Sequence, residues 1–434
     1  MREDRALMGQ HLRVRPALPR RFRRLLGSAW VSNTGDGVRN SALPLVAASL
    51  SNSASAVTLI AAAGTLPFTL FGVVAGTMAD RSDRVPLIMR AHLFRAVVVT
   101  AVAGLLLFDE MTIALLAGGA FLLGCGEAVA DSAAPALVPD LVDDDELERA
   151  NSELETAELV ANDLVGPPLG SVLYGVSASI PFAVDAVSFT SSAALVTSIG
   201  RGEQPDAGES EIVVPPPGPD GTQAPVLEEP AARSSWRHDL AEGVTTAWTN
   251  DVLRVTGLLV MLLQLGNLAA IAPIVVYVTD RLGLEPAAYG LFLAAGSVGG
   301  IIGSRIVQRL VARVGSFVTL LGSLAVAVGS FALMMVPTVA TVTLGFATSF
   351  GSVVVGRVIV ITARQRSVPS RLLGRAQGAM RTLVWGAATV GAVIGGALAD
   401  IIGDQAPFGF AIACYLVGAG LGWRALRRVL ADRT

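Results

Sequence analysis

Apolar residues dominate this chain in long blocks, with short polar bursts between them. A helix needs about 20 apolar residues to cross the hydrocarbon of a bilayer. Blocks of that size fall near residues 25–48, 54–79, 86–108, 112–134, 156–177 and 181–200. Six more fall near 254–279, 287–310, 316–336, 339–362, 376–399 and 407–427. The pattern predicts an all-α integral membrane protein of twelve transmembrane helices, arranged as two six-helix bundles over 25–200 and 251–428. Residues 1–24 and 429–434 form polar tails.

The interruption at 201–250 has a different character. Its first half, "EQPDAGESEIVVPPPGPDGTQAPVLEEP", is acidic and Pro-rich and reads as a flexible linker. Within 234–250, Trp236, Leu240, Val244 and Trp248 recur every four residues, one stripe of a helix. That stripe suits either the membrane surface or the ends of neighbouring helices.

Composition agrees with a membrane. Of 434 residues 52% are hydrophobic and 15% charged, with mean hydropathy +0.60, against about 25% charge in soluble domains. Every basic residue is Arg, and their placement predicts orientation through the excess of positive charge on cytoplasmic loops. The N-terminal tail carries Arg13, Arg15, Arg20, Arg21, Arg23 and Arg24, and the C-terminal end Arg424, Arg427, Arg428 and Arg433. Loops after even-numbered spans carry Arg81, Arg84, Arg149, Arg309, Arg313, Arg364, Arg366 and Arg371, whereas Arg281 stands out among the others. Both termini and the linker are therefore expected in the cytoplasm, and the polar, Arg-rich start, with no apolar core before a small-residue cleavage site, argues against a cleaved signal peptide.

The halves repeat. "VPDLVDDDELERANSELETAELVANDLVGPPLG" and "VPSRLLGRAQGAMRTLVWGAATVGAVIGG" each leave an even span at Val-Pro, cross a short loop and enter the next helix. Each helix carries Gly-x-x-x-Gly, Gly166 with Gly170 and Gly391 with Gly395. Such spacing permits close helix approach, and repeated bundles are a transporter architecture. Pro167 and Pro168 remove backbone donors and suggest a hinge with those glycines.

Charges inside the spans are costly and point to function. Asp36 and Arg39 share a face of the first span, as a structural ion pair or as a titrating site. Glu127 and Asp131 share a face of the fourth, where like charges favour protonation of one. Asp163 enters the fifth span, and Asp185 in the sixth reads as structural. Arg95, Arg357 and Arg381 are either counter-ions or snorkelling cations. Cys125 and Cys414 lie in apolar runs, His11, His92 and His238 are scattered, and no phosphate-binding loop occurs. Disulfides, metal sites, ATP-driven pumping and enzyme activity are not expected, nor any cofactor.

"GTMADRSDR" resembles the loop signature of the major facilitator superfamily, with Gly76, Asp80, Arg81 and Arg84 in place, Asp83 where Gly is frequent and Val85 where a second basic residue is common. "SNTGDGVRNSALPLVA", "VADSAAPALVPDLV", "FAVDAVSF" and "RQRSVPSRLLGRAQG" resemble the enterobactin-exporter and macrolide-efflux-type subgroup. "GPPLG" is similar to the antiporter signature, with Ser171 in place of its last Gly. The resemblance implies a monomeric, proton-coupled exporter of amphipathic small molecules in the bacterial inner membrane, contacting lipid and no nucleic acid. It also implies that Gly76, Asp80, Arg81 and Arg84 latch the cytoplasmic ends of the halves, Gly76 by admitting a helix of the other half. An importer or lipid transporter of the same fold, or a silent scaffold, remain the alternatives.

Overall fold

In a computed structural model, the described residues are 18–51, 53–200, 245, 248–367 and 370–431, and every regular element among them is a helix. The Trp236–Val244 part of the stripe and the side chain of Asp80 lie outside the described residues. The first half contains α1 (Arg20–Leu50), α2 (Ala54–Arg81), α3 (Arg84–Leu107) and α4 (Ile113–Leu137). It continues with α5 (Leu147–Ala157), a π-helical stretch Glu158–Val165, α6 (Gly166–Val176) and α7 (Ile180–Thr197). The second half contains α8 (Asp251–Ile271), α9 (Pro286–Met334), α10 (Val339–Ser367), α11 (Ser370–Ile401) and α12 (Ala406–Ala431).

Twelve crossings result because α9 is two spans. At Gly315 the backbone turns to φ 80°, ψ 163°, a conformation that glycine adopts without steric cost. Val307 before the break and Leu320 after it pack in one cluster with Val355 and Ile359, so the chain doubles back there. Among the described residues, eight helices are long and apolar enough to span a bilayer. The first is more polar, since Asp36 and Arg39 sit in its middle; the fifth is divided by its π turn, and the apolar stretch of the last, Ala406–Gly420, is shorter. Val97, Phe108, Val176, Val187 and Leu291 point outward, as lipid-facing residues must.

At the hinge expected around Gly166, Pro167, Pro168, Gly170, Gly391 and Gly395, the structure shows close packing. The irregular backbone lies before the prolines, in Glu158–Val165, and Gly166–Pro167–Pro168 instead starts a regular helix. A proline within the first helical turn costs no intrahelical hydrogen bond. Gly166 and Gly170 meet the backbone of Gly37 and Val38 on α1 so closely that a Cβ would overlap it. Gly391 and Gly395 meet Leu265 and Ala269 of α8 in the same way. The two Gly-x-x-x-Gly pairs are therefore equivalent rigid seams, fifth span on first and eleventh on seventh. Gly170→Leu should cost about 1–3 kcal/mol by overpacking and lower the thermal midpoint in detergent. Gly322→Leu, at a site with open space within 4 Å, should leave that midpoint unchanged.

Candidate functional site

The local sequence Gly35-Asp36-Gly37 explains how a carboxylate reaches the middle of the first bundle. A Cβ at Gly35 would collide with Asp185 and Ser188 of α7, and one at Gly37 with Asn162 and Gly166. The α1 backbone is thus pressed against two helices while Asp36 turns toward α3. Its Oδ1 accepts hydrogen bonds from Arg39 Nη2 and from Arg95 Nη2, each at 2.6 Å. Arg95 Nη2 also donates to Glu127 Oε2 at 3.1 Å, and Arg39 Nη2 lies 3.8 Å from the same oxygen. Arg39 Nε stands 3.5 Å from Asp185 Oδ2. Asn40 joins the network, accepting from Arg39 and donating to Asn162 Oδ1, both at 3.2 Å.

Room for this cluster comes from small residues and aromatic surface. Gly126 has no side chain where the methylenes of Arg95 pass, and the Arg95 guanidinium lies 4.2 Å from the centre of the Phe189 ring. His92 stacks on the same ring at 5.8 Å. Arg39, Arg95 and Asp185 are buried, whereas the Glu127 side chain keeps 34% of its surface exposed. Three carboxylates therefore face two guanidiniums, and the most accessible carboxylate is the one at the edge. One bound proton would make the set neutral.

The structure thus brings together Asp36, Arg39, Arg95 and Glu127. Asp185 joins them against Arg39, where the sequence suggested only a structural acid near the outer face. His92 also lies beside the cluster. Asp131 is separated from this set and pairs across the halves with Arg381, at 3.8 Å. Arg357, exposed on α10, acts electrostatically on Glu158 of the π segment, as does Arg381. Asp163 is exposed, and its carbonyl accepts from Ser297 Oγ at 2.7 Å.

The halves touch along two seams that start on one face. Along α2 and α11, Asp400 accepts from Ser53 Oγ at 2.7 Å and from the backbone of Ala54 and Ser55 at 2.8 and 3.0 Å. Thr65 and Thr389 share a hydrogen bond at 2.8 Å, and Phe68 stacks on Trp385. Along α6 and α9, Gly290 abuts Pro167, and Ser171 Oγ donates to Ala287 O at 3.0 Å. Ser171, which replaces a glycine of the resembled signature, thus supplies a cross-half bond.

These seams do not reach the arginine-rich face. Among the described residues nothing lies within 4 Å of where a Gly76 Cβ would stand, so the close approach expected there is not made. Arg81 is exposed, and Arg84 pairs with Asp140 of its own half. Among the described residues, the hydrogen bonds between α2 and α11 thus gather toward Asp400, and Gly76 has no neighbour.

This two-bundle arrangement has relatives. The chain matches the model of the Major Facilitator Superfamily over residues 25–387. It belongs to that superfamily. It is 27% identical over 396 residues to the multidrug efflux pump Tap of Mycolicibacterium fortuitum, covering 88% of this chain and 90% of Tap. A solved bacterial homologue of the iron transporter ferroportin, in an inward-facing state, superposes with TM-score 0.68 at 18% identity, over 94% and 98% of the two chains. The nucleoside transporter NupG superposes at 0.74 with 10% identity, over 93% and 99%. The chain is accordingly a multi-pass membrane transporter and not an enzyme.

Removing one partner of a buried ion pair leaves a charge without compensation, at about 3–5 kcal/mol. Arg39→Met should cost stability on that scale, and adding Asp185→Asn should restore part of it, as read by thermal unfolding in detergent. Asp400→Ala should loosen the closed face. With Cys125 and Cys414 replaced by Ser, a cysteine at Thr389 should then react at least ~3-fold faster with a membrane-impermeant maleimide, since hydrogen bonds to a charged group are worth about 1.5–3 kcal/mol.

Proposed function

We propose that this transporter is a proton-coupled exporter of amphipathic small molecules such as drugs, macrolides or siderophores. It works by alternating access as a monomer in the bacterial inner membrane, with both termini and the arginine-rich face in the cytoplasm. The observation that carries the reading is the buried set Asp36, Arg39, Arg95, Glu127 and Asp185, in which carboxylates exceed guanidiniums by one. In a low dielectric an unbalanced negative charge is expensive, so the set favours taking up one proton. Glu127, at its exposed edge, can exchange that proton with the cavity while Asp36 stays held between two arginines.

Efflux rather than uptake is favoured by the likeness to Tap and by the Gly-Pro start of α6. An exporter loads its cargo from the cytoplasm, and the Asp400 contacts between the halves lie at the opposite end from the arginine-rich loops. The return step requires the Asp400 face to part and the segment Gly76–Arg84 to close against the second half. In that state Asp80, Arg81 and Arg84 act as the latch, with Asp80 able to accept charge-assisted hydrogen bonds. A scaffold that had lost transport would have no use for an acid kept at the edge of a cavity. Asp163, Arg357 and Arg381 line the pathway beside it.

The test is drug accumulation and growth inhibition in an efflux-deficient bacterial host, with and without a protonophore. Wild type should protect against at least one amphipathic compound, and the protonophore should abolish that protection. Glu127→Gln and Asp36→Asn, at equal membrane expression, should lower energised efflux by about tenfold, the effect of roughly 1.4 kcal/mol. Protonophore-sensitive export by Glu127→Gln at the wild-type rate would refute the role given to this cluster.

A further inference from the structure

Where α2 and α4 of the first half meet α11 of the second, aromatic surface and charge lie together. Phe68 of α2 and Trp385 of α11 stack with centroids 5.1 Å apart and planes 22° from parallel. The guanidinium of Arg381, one turn from Trp385, lies 6.0 Å from the Phe68 centroid. Its Nη2 is 3.8 Å from Asp131 Oδ2 of α4. That separation is an ion pair but too long for a hydrogen bond, and both side chains are about half exposed, 54% for Arg381 and 49% for Asp131. Arg381 is thus a loosely held cation lying on an aromatic face beside a carboxylate.

Charge around this point is one-sided. Asp131 feels Glu127, one turn away, and Glu158 of the π segment, against Arg95 and Arg381. Arg95 is already committed to Asp36 and Glu127. The cation that answers Asp131 at close range is therefore Arg381. Without it, the place over Phe68 would present a ring face and a carboxylate with no counter-charge nearby.

We propose that Phe68, Trp385 and Asp131 form a recognition site for an organic monocation with apolar surface, and that Arg381 is a tethered stand-in occupying it between substrates. The inference rests on the transporter reading above and names the substrate charge that reading leaves open. A ring face attracts a cation through its quadrupole, more so when water is excluded. An organic cation larger than guanidinium can cover both rings, so it gains contact area that Arg381 does not make. Displacing Arg381 also removes a link between α4 and α11, which ties substrate binding to the freedom of the halves to move. An anion is disfavoured by Glu127, Asp131 and Glu158 together.

The experiment is equilibrium binding of radiolabelled tetraphenylphosphonium to the full-length protein purified in an uncharged detergent, with protein-free micelles subtracted. Tetraphenylborate, of the same shape and opposite charge, is measured beside it. Removing a tethered competitor should tighten binding, so Arg381→Gln should bind tetraphenylphosphonium at least ~10-fold more tightly than wild type, within the range of a desolvated cation–π contact. Arg381→Lys, which keeps a cation on the same tether, should stay near wild type. Asp131→Asn and Phe68→Leu should each weaken binding by at least ~5-fold. All variants are first required to run as single monodisperse species on size exclusion.

Equal or weaker tetraphenylphosphonium binding by Arg381→Gln overturns the stand-in role. Saturable tetraphenylborate binding that Arg381→Gln abolishes overturns the site as a cation site and makes Arg381 an anion anchor. Binding needs neither a proton gradient nor turnover, so the two readings fail separately. Protonophore-sensitive export without these binding changes overturns the cation site and leaves the exporter standing. The expected binding changes without any export overturn the exporter and leave the cation site standing.

Discussion

The first bundle depends on a set of charges that cannot be taken apart. Asp36 is held by Arg39 and Arg95 at 2.6 Å each, and each arginine carries a second acid, Asp185 for one and Glu127 for both. Asp36 and Arg39 can pair within α1, but the residues come from α1, α3, α4 and α7, so four helices must be in place before all of the charges are compensated. An isolated α1 would expose Asp36 and Arg39 to hydrocarbon, at several kcal/mol for each. Assembly of the bundle and satisfaction of its charges are thus one event. The glycines on either side of Asp36 serve this same requirement by letting the α1 backbone approach α7 and the π segment.

The contact between bundles obeys a different rule. Inside each half, backbones touch through glycine, as Gly170 on α1 and Gly395 on α8 show, and such seams have one geometry. Between the halves glycine also meets backbone, at Gly290 and Gly396, but it is joined there by hydroxyls, a carboxylate on a helix start and stacked rings. Asp400 placed at the N-terminus of α2 adds a favourable interaction with the helix dipole to its hydrogen bonds. Contacts of this kind can be exchanged for water or for a substrate at modest cost. Rigid halves joined by exchangeable contacts are what a rocking motion about a central cavity needs.

Much of this was legible in the sequence because membranes impose a crude grammar. Blocks of apolar residues marked the crossings, the motif residues Gly76–Arg84 pointed to the superfamily, and the intramembrane charges singled out Asp36 with Arg39, Glu127 with Asp131, and Arg95 as a possible counter-ion. What could not be read was which partner each charge takes. Asp185 looked like a structural acid because its distance from the span end says nothing about Arg39, which lies 146 positions away in the chain. Glu127 and Asp131 share a helix face, yet one turns to Arg95 and the other crosses to Arg381. The Gly-x-x-x-Gly pairs of α6 and α11 announced close helix approach; only the packing shows which backbone fills each gap, α1 for one and α8 for the other. Ser171 read as a lapse from a signature, whereas its hydroxyl bonds Ala287 across the halves.

The repeat also makes the differences between halves informative. The seams at Gly166–Gly170 and Gly391–Gly395 correspond, so the bundles share a framework. Their interiors do not correspond. Where the first half holds its charged set, the interior of the second is built from Tyr289, Phe292, Phe346 and Phe350 in successive ring contacts. Charge is thus concentrated in one bundle and aromatic packing in the other. A duplicated framework under no division of labour would tolerate both features in both halves, since the seams that hold each bundle are the same. Among the described residues the buried acids stand in the first half, while the second buries Arg364 against Thr256, so most of the cost of buried charge falls on one bundle. Arg381 and Asp131 stand where these two kinds of surface meet, so a ligand that enters there touches both.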